Sequence, residues 1–250
     1  MTKSILFLAI ASTLGTAAYA EDPAPSPFTA NISLTTNYKY RGQDQGSLTP
    51  TKTLRPAVQG GFDWTLNGFY VGNWNSSIGW LKDVQKGSSV EMDFYGGYRG
   101  EIIKDVGYDV GVLRYQYVGA AAANTTELYG SVSYGPASLK YSHTVSEDYF
   151  GTAGAAFGSG LKGRGTGYLD LSGNFEVAKG ITLNAHMGFT RLSGELKDVG
   201  YENYADYKFG ATMDLGSGFS GGAAIVGATK KDFYGDINKA RAILTITKSM

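Results

Sequence analysis

Apolar and polar residues alternate through most of the chain after residue 28. In residues 29–41 the apolar positions Ala30, Ile32 and Leu34 are separated by single polar residues, and the same period of two recurs in residues 89–101 and 166–178. Successive side chains of a β-strand point to opposite faces, so this period predicts strands with one apolar and one polar face.

Twelve segments carry the pattern, and Arg114 stands at an apolar position of the fifth, which predicts a bulge or a strand end there. The predicted strands are residues 29–41, 56–66, 69–80, 89–101, 107–118, 125–134, 137–147, 166–178, 181–193, 203–215, 219–229 and 239–250.

The connections between these strands alternate in length. The first, third and later odd-numbered connections are long, among them 42–55 and 148–165, whereas the even-numbered ones are short. Asn67-Gly68 is a strong signal for a two-residue hairpin turn, because both central positions of a type I′ turn need positive φ. Short periplasmic turns and long extracellular loops are typical of outer-membrane barrels. The chain is therefore predicted to be all-β: an antiparallel transmembrane up-and-down β-barrel of about twelve strands, with both termini periplasmic.

The first residues predict export. Lys3 supplies a positive charge, residues 5–18 are mostly apolar, and Ala18-Tyr19-Ala20 fits the rule for signal peptidase cleavage. The apolar stretch is shorter than the roughly 20 residues of a spanning helix, which argues against a membrane anchor. We predict a cleavable signal peptide at 1–20 with cleavage after Ala20, a short periplasmic segment at 21–28 and an outer-membrane β-barrel at 29–250.

Composition narrows the possible partners. The charges balance at 22 basic and 22 acidic residues, so no net field attracts nucleic acid. No cysteine is present, which excludes disulfides and thiolate metal sites. Aromatic residues at apolar positions predict girdles at the two membrane interfaces: Tyr38, Tyr40, Trp64, Trp74, Trp80, Tyr98, Tyr134, Tyr141 and Phe189.

Charged residues at the polar positions are the candidates for lining a lumen. Twelve strands enclose more space than the eight whose side chains fill a barrel, so a narrow aqueous lumen is predicted. Six basic against eight acidic candidates predict weak or no ion selectivity. Alternatively, these charges pair across strands and fill the lumen, and loop 148–165 is long enough to fold inward. The candidates are Lys39, Arg41, Asp63, Glu91, Asp93, Arg99, Asp109, Glu127, Lys140, Asp170, Glu176, Lys208, Asp214 and Arg241.

Several stretches resemble a family of exported proteobacterial proteins, the TorF-family porins. The most specific are residues 56–61, which read PAVQGG, and residues 68–74, which read GFYVGNW; shorter matches include residues 38–42, 93–98, 108–112, 127–130 and 148–150. The resemblance covers essentially the whole mature chain. It implies an outer-membrane barrel that passes small solutes, and it names no substrate.

The resemblance also implies partners. A Gram-negative outer-membrane barrel contacts membrane lipid and lipopolysaccharide and is inserted by the barrel assembly machinery. That machinery usually reads a C-terminal aromatic residue, whereas this chain ends in Met250 with the expected alternation before it.

Enzymatic and metal chemistry finds little support in the sequence. His143 at an apolar position is flanked by Ser142 and Ser146, as in a membrane lipid hydrolase, but no third residue to orient the histidine is evident. His186 lies at a lumen position. Asp198, Glu202 and Asp206 are predicted near one outer loop, where they could hold divalent cations loosely. We predict no enzyme activity, no cofactor and no built metal site.

Three functions are therefore carried forward. The first is a porin that allows passive diffusion of small hydrophilic solutes through a mixed-charge lumen. The second is a structural or adhesion-type barrel with a plugged lumen, whose loops 42–55 and 148–165 contact partners. The third is an outer-membrane lipid enzyme that uses His143.

Overall fold

A computed structural model of the chain describes residues 26–84, 88–152 and 159–250. The predicted signal peptide, its cleavage site at Ala20 and most of the 21–28 segment lie outside these residues. Twelve strands form the barrel: β1 (Phe28–Thr35), β4 (Ala57–Leu66), β5 (Phe69–Ser77), β6 (Val90–Ile103), β7 (Val106–Tyr117), β8 (Thr125–Tyr134), β9 (Ala137–Thr144), β10 (Gly167–Ala178), β11 (Ile181–Arg191), β12 (Tyr204–Gly216), β13 (Phe219–Ala228) and β14 (Arg241–Ser249). Two short strands, β2 (Lys39–Tyr40) and β3 (Gln43–Asp44), pair only with each other.

Each barrel strand pairs antiparallel with its neighbours in sequence, and the last strand closes the sheet on the first. The seam between β1 and β14 places Leu34 opposite Ile246 and Thr35 opposite Thr245. Closure leaves no open sheet edge, so the barrel can pair its backbone groups internally. The predicted twelve-strand antiparallel up-and-down barrel is confirmed.

The connections also follow the predicted asymmetry. At one end of the barrel the strands are joined by two-residue turns, and Asn67 and Gly68 have the positive φ values of 49° and 85° that a type I′ turn requires. The connections at the other end are long, and two of them contain the short helices α1 (Gly194–Asp198) and α2 (Lys231–Tyr234). None of the helices in the described ranges is long and apolar enough to cross a membrane.

The outer face of the barrel is a continuous apolar belt. Ile32, Phe62, Leu128, Phe209 and Ile246 come from five separate strands, and each leaves roughly half or more of its surface exposed. A soluble monomer rarely exposes contiguous apolar surface on this scale, whereas the lipid face of a transmembrane barrel consists of such a band.

The prediction is wrong at the end of the first strand. The pattern predicts one strand over residues 29–41, but β1 ends at Thr35 and the chain from Asn37 to Ser47 turns into the barrel. The apolar and polar alternation continues through Tyr38 and Tyr40 because these residues contact the inner wall instead of lipid.

Arg114 lies inside β7, on the outer face three residues before the strand ends, and it donates to Thr126 Oγ1 at 2.9 Å. The bulge of this strand pair lies instead between Glu101 and Ile103.

The predicted aromatic girdles are correct in part. Five residues lie on the outer face: Trp64, Tyr98, Tyr134, Tyr141 and Phe189. Tyr38, Tyr40, Trp74 and Trp80 lie inside the barrel instead.

The parity of β5 explains the error at Trp74. Trp74 stands opposite the inward-facing Asp93, whereas Asn73 and Asn75 take the outward positions of this strand. Their amides bond to each other at 2.5 Å, and Asn73 also donates to the Asp93 carbonyl at 3.0 Å. Because the outward residues here are polar and the inward Trp74 is apolar, the sequence pattern assigns the two faces of this part of the strand the wrong way round.

Tyrosines and glycines are paired along the inner wall. A Cβ on Gly72 would lie 2.4 Å from the Tyr95 ring, and one on Gly188 would lie 2.2 Å from the Tyr168 hydroxyl. Each ring therefore lies flat over a glycine of the neighbouring strand, where any larger residue would push it toward the barrel axis. This packing accounts for much of the use of 36 glycines and 18 tyrosines in the chain.

Candidate permeation pathway

We call residues 36–56 the plug loop, and its part from Asn37 to Ser47 lies inside the barrel near the long-loop end. Asn37, Lys39, Arg41, Asp44 and Ser47 are all less than a tenth exposed. The sequence had pointed to loop 148–165 as the segment able to fold inward. Within the described residues, the inward chain comes mainly from the connection between β1 and β4. Phe150 of loop 148–165 packs against Tyr40 and Tyr115, and residues 153–158 of that loop lie outside the described ranges.

The tip of the plug loop is a tight hairpin turn between β2 and β3. Arg41 and Gly42 have φ values of 45° and 74°, the left-handed region that glycine adopts without strain. A Cβ on Gly42 would lie 2.6 Å from Asp206 Cβ and 2.6 Å from the Gly227 carbonyl. The turn therefore presses against β12 and β13, and only glycine fits there.

A buried ion pair holds this tip. Arg41 donates to both carboxylate oxygens of Glu127, at 3.0 Å and 2.7 Å, and the two side chains are 5% and 2% exposed. The guanidinium also lies 4.0 Å from the centre of the Tyr168 ring. Two-pronged geometry and exclusion of water make this the kind of ion pair whose disruption costs most.

Two tyrosines bind the plug loop to the wall formed by β5–β8. The Tyr38 hydroxyl donates to Glu91 Oε1 at 2.6 Å, and Tyr117 donates to the other oxygen of that carboxylate at 2.5 Å. The Tyr40 and Tyr115 hydroxyls are 2.6 Å apart. Glu91 is thus enclosed by phenol donors and lies away from the open part of the lumen.

Lys39 binds the opposite side of the loop. Its Nζ donates to the carbonyls of Gly42 at 2.8 Å and Ile237 at 2.7 Å. Burial lowers the pKa of Lys39 to about 8, with Arg241 acting in the same direction and Asp44 opposing it. Asp44, which the sequence reasoning missed because it was placed in an outer loop, lies 3.6 Å from Arg241 Nε.

A histidine between two carboxylates forms a further part of the inner wall. His186 Nδ1 lies 3.0 Å from Asp170, and its Nε2 lies 2.7 Å from Asp206. Tyr168 also contacts Asp206, at 3.1 Å. The suggestion that Asp206 joins Asp198 and Glu202 in an outer cation site is therefore wrong, because Asp206 lies in β12 and faces inward. In the ranges that the structure covers, no cluster of three or more histidine or acidic side chains is arranged to hold a metal.

The other candidates also lie on the inner side of the wall. Tyr70 donates to Asp109 at 2.5 Å, and Tyr95 donates to Asp63 at 2.7 Å. Lys140 lies 3.9 Å from the centre of the Tyr129 ring. Arg99 donates to Thr65 Oγ1 at 3.1 Å. Asp93 is buried beside Glu91, Lys208 and Arg241 lie on β12 and β14, and Glu176 and Asp214 are exposed near the short turns.

A cavity of about 60 Å³ remains between the plug loop and the opposite wall. Lys39, Lys208, Asn37, Trp74, Gln59 and Asn184 are among the residues that line it.

The arrangement around His143 does not match a lipid hydrolase. His143 faces outward and its Nδ1 lies 3.3 Å from the Tyr141 hydroxyl. Ser142 is buried on the inner side, and the Ser146 hydroxyl donates to the Asp148 carbonyl at 2.7 Å. Neither serine hydroxyl is placed beside the imidazole.

Residues 19–249 match the model of a bacterial protein family of unknown function, Gcw_chp. The chain belongs to this family. The comparison with curated proteins found no match.

Solved structures of porins share the fold. The KdgM porin superposes with a TM-score of 0.57 at 8% identity, covering 89% of this chain and 99% of that porin. The NanC porin gives 0.55 at 8% identity, covering 87% and 97%. A structure of the KdgM porin in complex with disordered oligogalacturonate gives 0.53 at 7% identity, covering 89% and 98%. This family member therefore has a porin-type barrel.

Proposed function

We propose that the protein is a TorF-type outer-membrane porin through which small hydrophilic solutes diffuse passively. One observation carries the proposal: charged and polar side chains line the inside of a closed barrel whose outside is an apolar belt. A membrane barrel with a polar interior provides a route for solutes that lipid excludes. One similar porin is described in complex with oligogalacturonate, which supports a hydrophilic solute.

The location and partners follow from the same surface. The apolar belt requires lipid, and the long loops would face the cell exterior and contact lipopolysaccharide. Insertion would depend on the barrel assembly machinery after removal of residues 1–20. The fourteen inward charged residues are proposed to line or shape the pathway, with the plug loop setting its width.

Purified protein reconstituted in a planar bilayer tests the proposal. We expect discrete current steps, together with a gel mobility that changes on heating and co-fractionation with outer membranes. Folded protein that inserts into the bilayer and never conducts would contradict porin function. The heat-dependent mobility is the control that separates this result from failure to fold.

A second function, a structural or adhesion barrel with a closed lumen, is favoured by the narrow cavity and the buried plug loop. Liposome swelling distinguishes the two. A porin admits small sugars at rates that rise as the sugar becomes smaller, whereas a closed barrel gives no swelling with any sugar. Deleting residues 51–54, the exposed outer part of the plug loop, would reduce surface binding only if adhesion is the function.

A further inference from the structure

Three neighbouring strands carry a polar row on the outer face of the barrel. The strand register aligns His143 of β9 with Gly167 of β10, and Gly167 with Arg191 of β11. We call these three residues the basic row. They share the parity of the outward Tyr141 and Phe189, and they lie where their strands meet the long connections. The basic row therefore stands at the long-loop edge of the apolar belt.

The positive charge of this row has no counter-charge in the protein. Arg191 is exposed, and its guanidinium makes no hydrogen bond or ion pair with any residue that the structure describes. No aspartate or glutamate takes an outward position in the twelve strands. In the adjoining loops, Glu147 pairs with Lys162 at 3.3 Å, and Glu195 accepts from the Lys162 backbone N–H at 2.9 Å. An unpaired guanidinium at the edge of the lipid favours an anion from outside the chain.

Tyr141 completes the row. A Cβ on Gly167 would lie 2.6 Å from the Tyr141 hydroxyl, so the phenol end lies over Gly167 and between His143 and Arg191. The same hydroxyl lies 3.3 Å from His143 Nδ1. When it donates to Nδ1, the neutral imidazole carries its proton on Nε2, which is left to donate to a ligand. The backbones of β9 and β11 are about 10 Å apart across β10, so both side chains can reach an anion above Gly167.

The outward positions below the basic row are apolar. The register continues in the same three strands, and each of the next six outward side chains is 43–64% exposed. They form two rows, Tyr141–Leu169–Phe189 and Leu139–Leu171–Met187. The surface thus matches a ligand that joins an anionic head to apolar chains, whereas a free anion would contact only the basic row.

We propose that the basic row binds a phosphate group of an outer-leaflet lipid, which in a Gram-negative outer membrane is lipopolysaccharide. The planar guanidinium of Arg191 presents paired N–H donors that match two phosphate oxygens. The acyl chains of the same lipid lie along the two apolar rows. The inference rests on the outer-membrane location and orientation in the proposed function, and it adds a lipid site on the outer wall, away from the lumen.

The first test measures lipid binding to the full-length barrel by native mass spectrometry in detergent. The probes are phosphorylated lipid A, the anchor of lipopolysaccharide, and the same lipid with its phosphates removed. Hydrogen bonds to charged groups predict that the phosphorylated form binds at least about tenfold more tightly, and that Arg191→Gln removes most of this difference. Lys248→Gln is the matched control, because Lys248 also faces outward, over Phe219, but at the short-turn end.

Equal binding of the two lipids, or equal losses in the two variants, would overturn the inference while leaving porin function intact. A protein that does not fractionate with outer membranes fails the proposed location instead. Heat-dependent mobility is measured for each variant, so that a change in binding is assigned only to barrels that fold.

The second test separates a lipid site from a site for a free anion. An equal concentration of inorganic phosphate should not displace lipid A, because it lacks the contacts with the apolar rows. Gly167→Ala changes no charge but displaces the Tyr141 hydroxyl, so it should weaken binding of phosphorylated lipid A severalfold. The control is Gly130→Ala on the outer face of β8, where an added Cβ meets only Val110, at 3.9 Å. Displacement by inorganic phosphate, or unchanged binding in Gly167→Ala, would contradict a lipid site built around Tyr141.

Discussion

Gly42 allows the tip of the plug loop to approach the far wall of the barrel. Its φ of 74° and its contact with Asp206 and the Gly227 carbonyl exclude a side chain. We predict that Gly42→Val expels the hairpin from the lumen and raises single-channel conductance, because the lost contacts join the loop to the wall and none of them pairs one barrel strand with another. Gly194→Ala is the control, since a Cβ there meets nothing within 4 Å. Unchanged conductance in Gly42→Val would show that the hairpin does not limit current.

The buried Lys39 side chain predicts how the ion permeability of the pore depends on pH. Burial lowers its pKa to about 8, so the side chain is charged below that pH and neutral above it. The ratio of anion to cation permeability should therefore decline as the pH rises from about 7 to about 9, and the decline should be absent in Lys39→Met. Reversal potentials at a series of pH values measure this. The same decline in Lys39→Met would assign the titration to another group.

The inward position of the plug loop depends on the ion pair between Arg41 and Glu127. Glu127→Gln leaves the guanidinium buried without a counter-charge, which costs about 3–5 kcal/mol at a buried pair. The loop can avoid this cost by leaving the lumen, so we predict larger conductance and more current noise with the barrel still folded. Conductance histograms measure the change.

The matched control for Glu127→Gln is Glu147→Gln. Glu147 pairs with Lys162 at 3.3 Å, but the two side chains are 61% and 53% exposed, and exposed pairs contribute only about 0–1 kcal/mol. Similar conductance changes in the two variants would refute the special role of the buried pair.

The elements differ in how far the sequence predicts them. Strands with an apolar outer face, such as β10, are evident from alternation because lipid and lumen impose opposite chemistry on successive residues. β5 misled because Asn73 and Asn75 satisfy each other on the outer face. The plug loop was hidden because Tyr38 and Tyr40 continue the alternation of β1. Its docking depends on contacts with residues 53 to 198 positions away, which no local pattern contains.

The sequence is equally limited in what it predicts about the charged residues of the lumen, because their contacts also depend on the fold. Parity in the sequence identified the inward charges, whereas the weak or absent selectivity inferred from their number stays a prediction, because pairing among the charges is invisible without the fold. Glu127 is bound to Arg41, and Asp170 is bound to His186. A tally of lumen charges is informative only after the bonded pairs are removed.

At the scale of the whole molecule, the orientation in the membrane is testable because the chain has no cysteine. Lys197→Cys lies on a long connection and Lys179→Cys on a short turn at the other end. We predict that a membrane-impermeant maleimide labels the first variant on intact cells and the second only after lysis. Labelling of the second variant on intact cells would show that the barrel has the opposite orientation.

The plug loop also bears on the order of assembly. It follows the first strand in the chain, yet Arg41 bonds to Glu127 and Lys39 bonds to the Ile237 carbonyl, 86 and 198 positions later. Contacts between such distant residues require the loop between them to close first. The wall that receives the hairpin does not exist until nearly all strands have paired. We therefore expect a newly closed barrel to pass through a wider, unplugged stage before the hairpin docks.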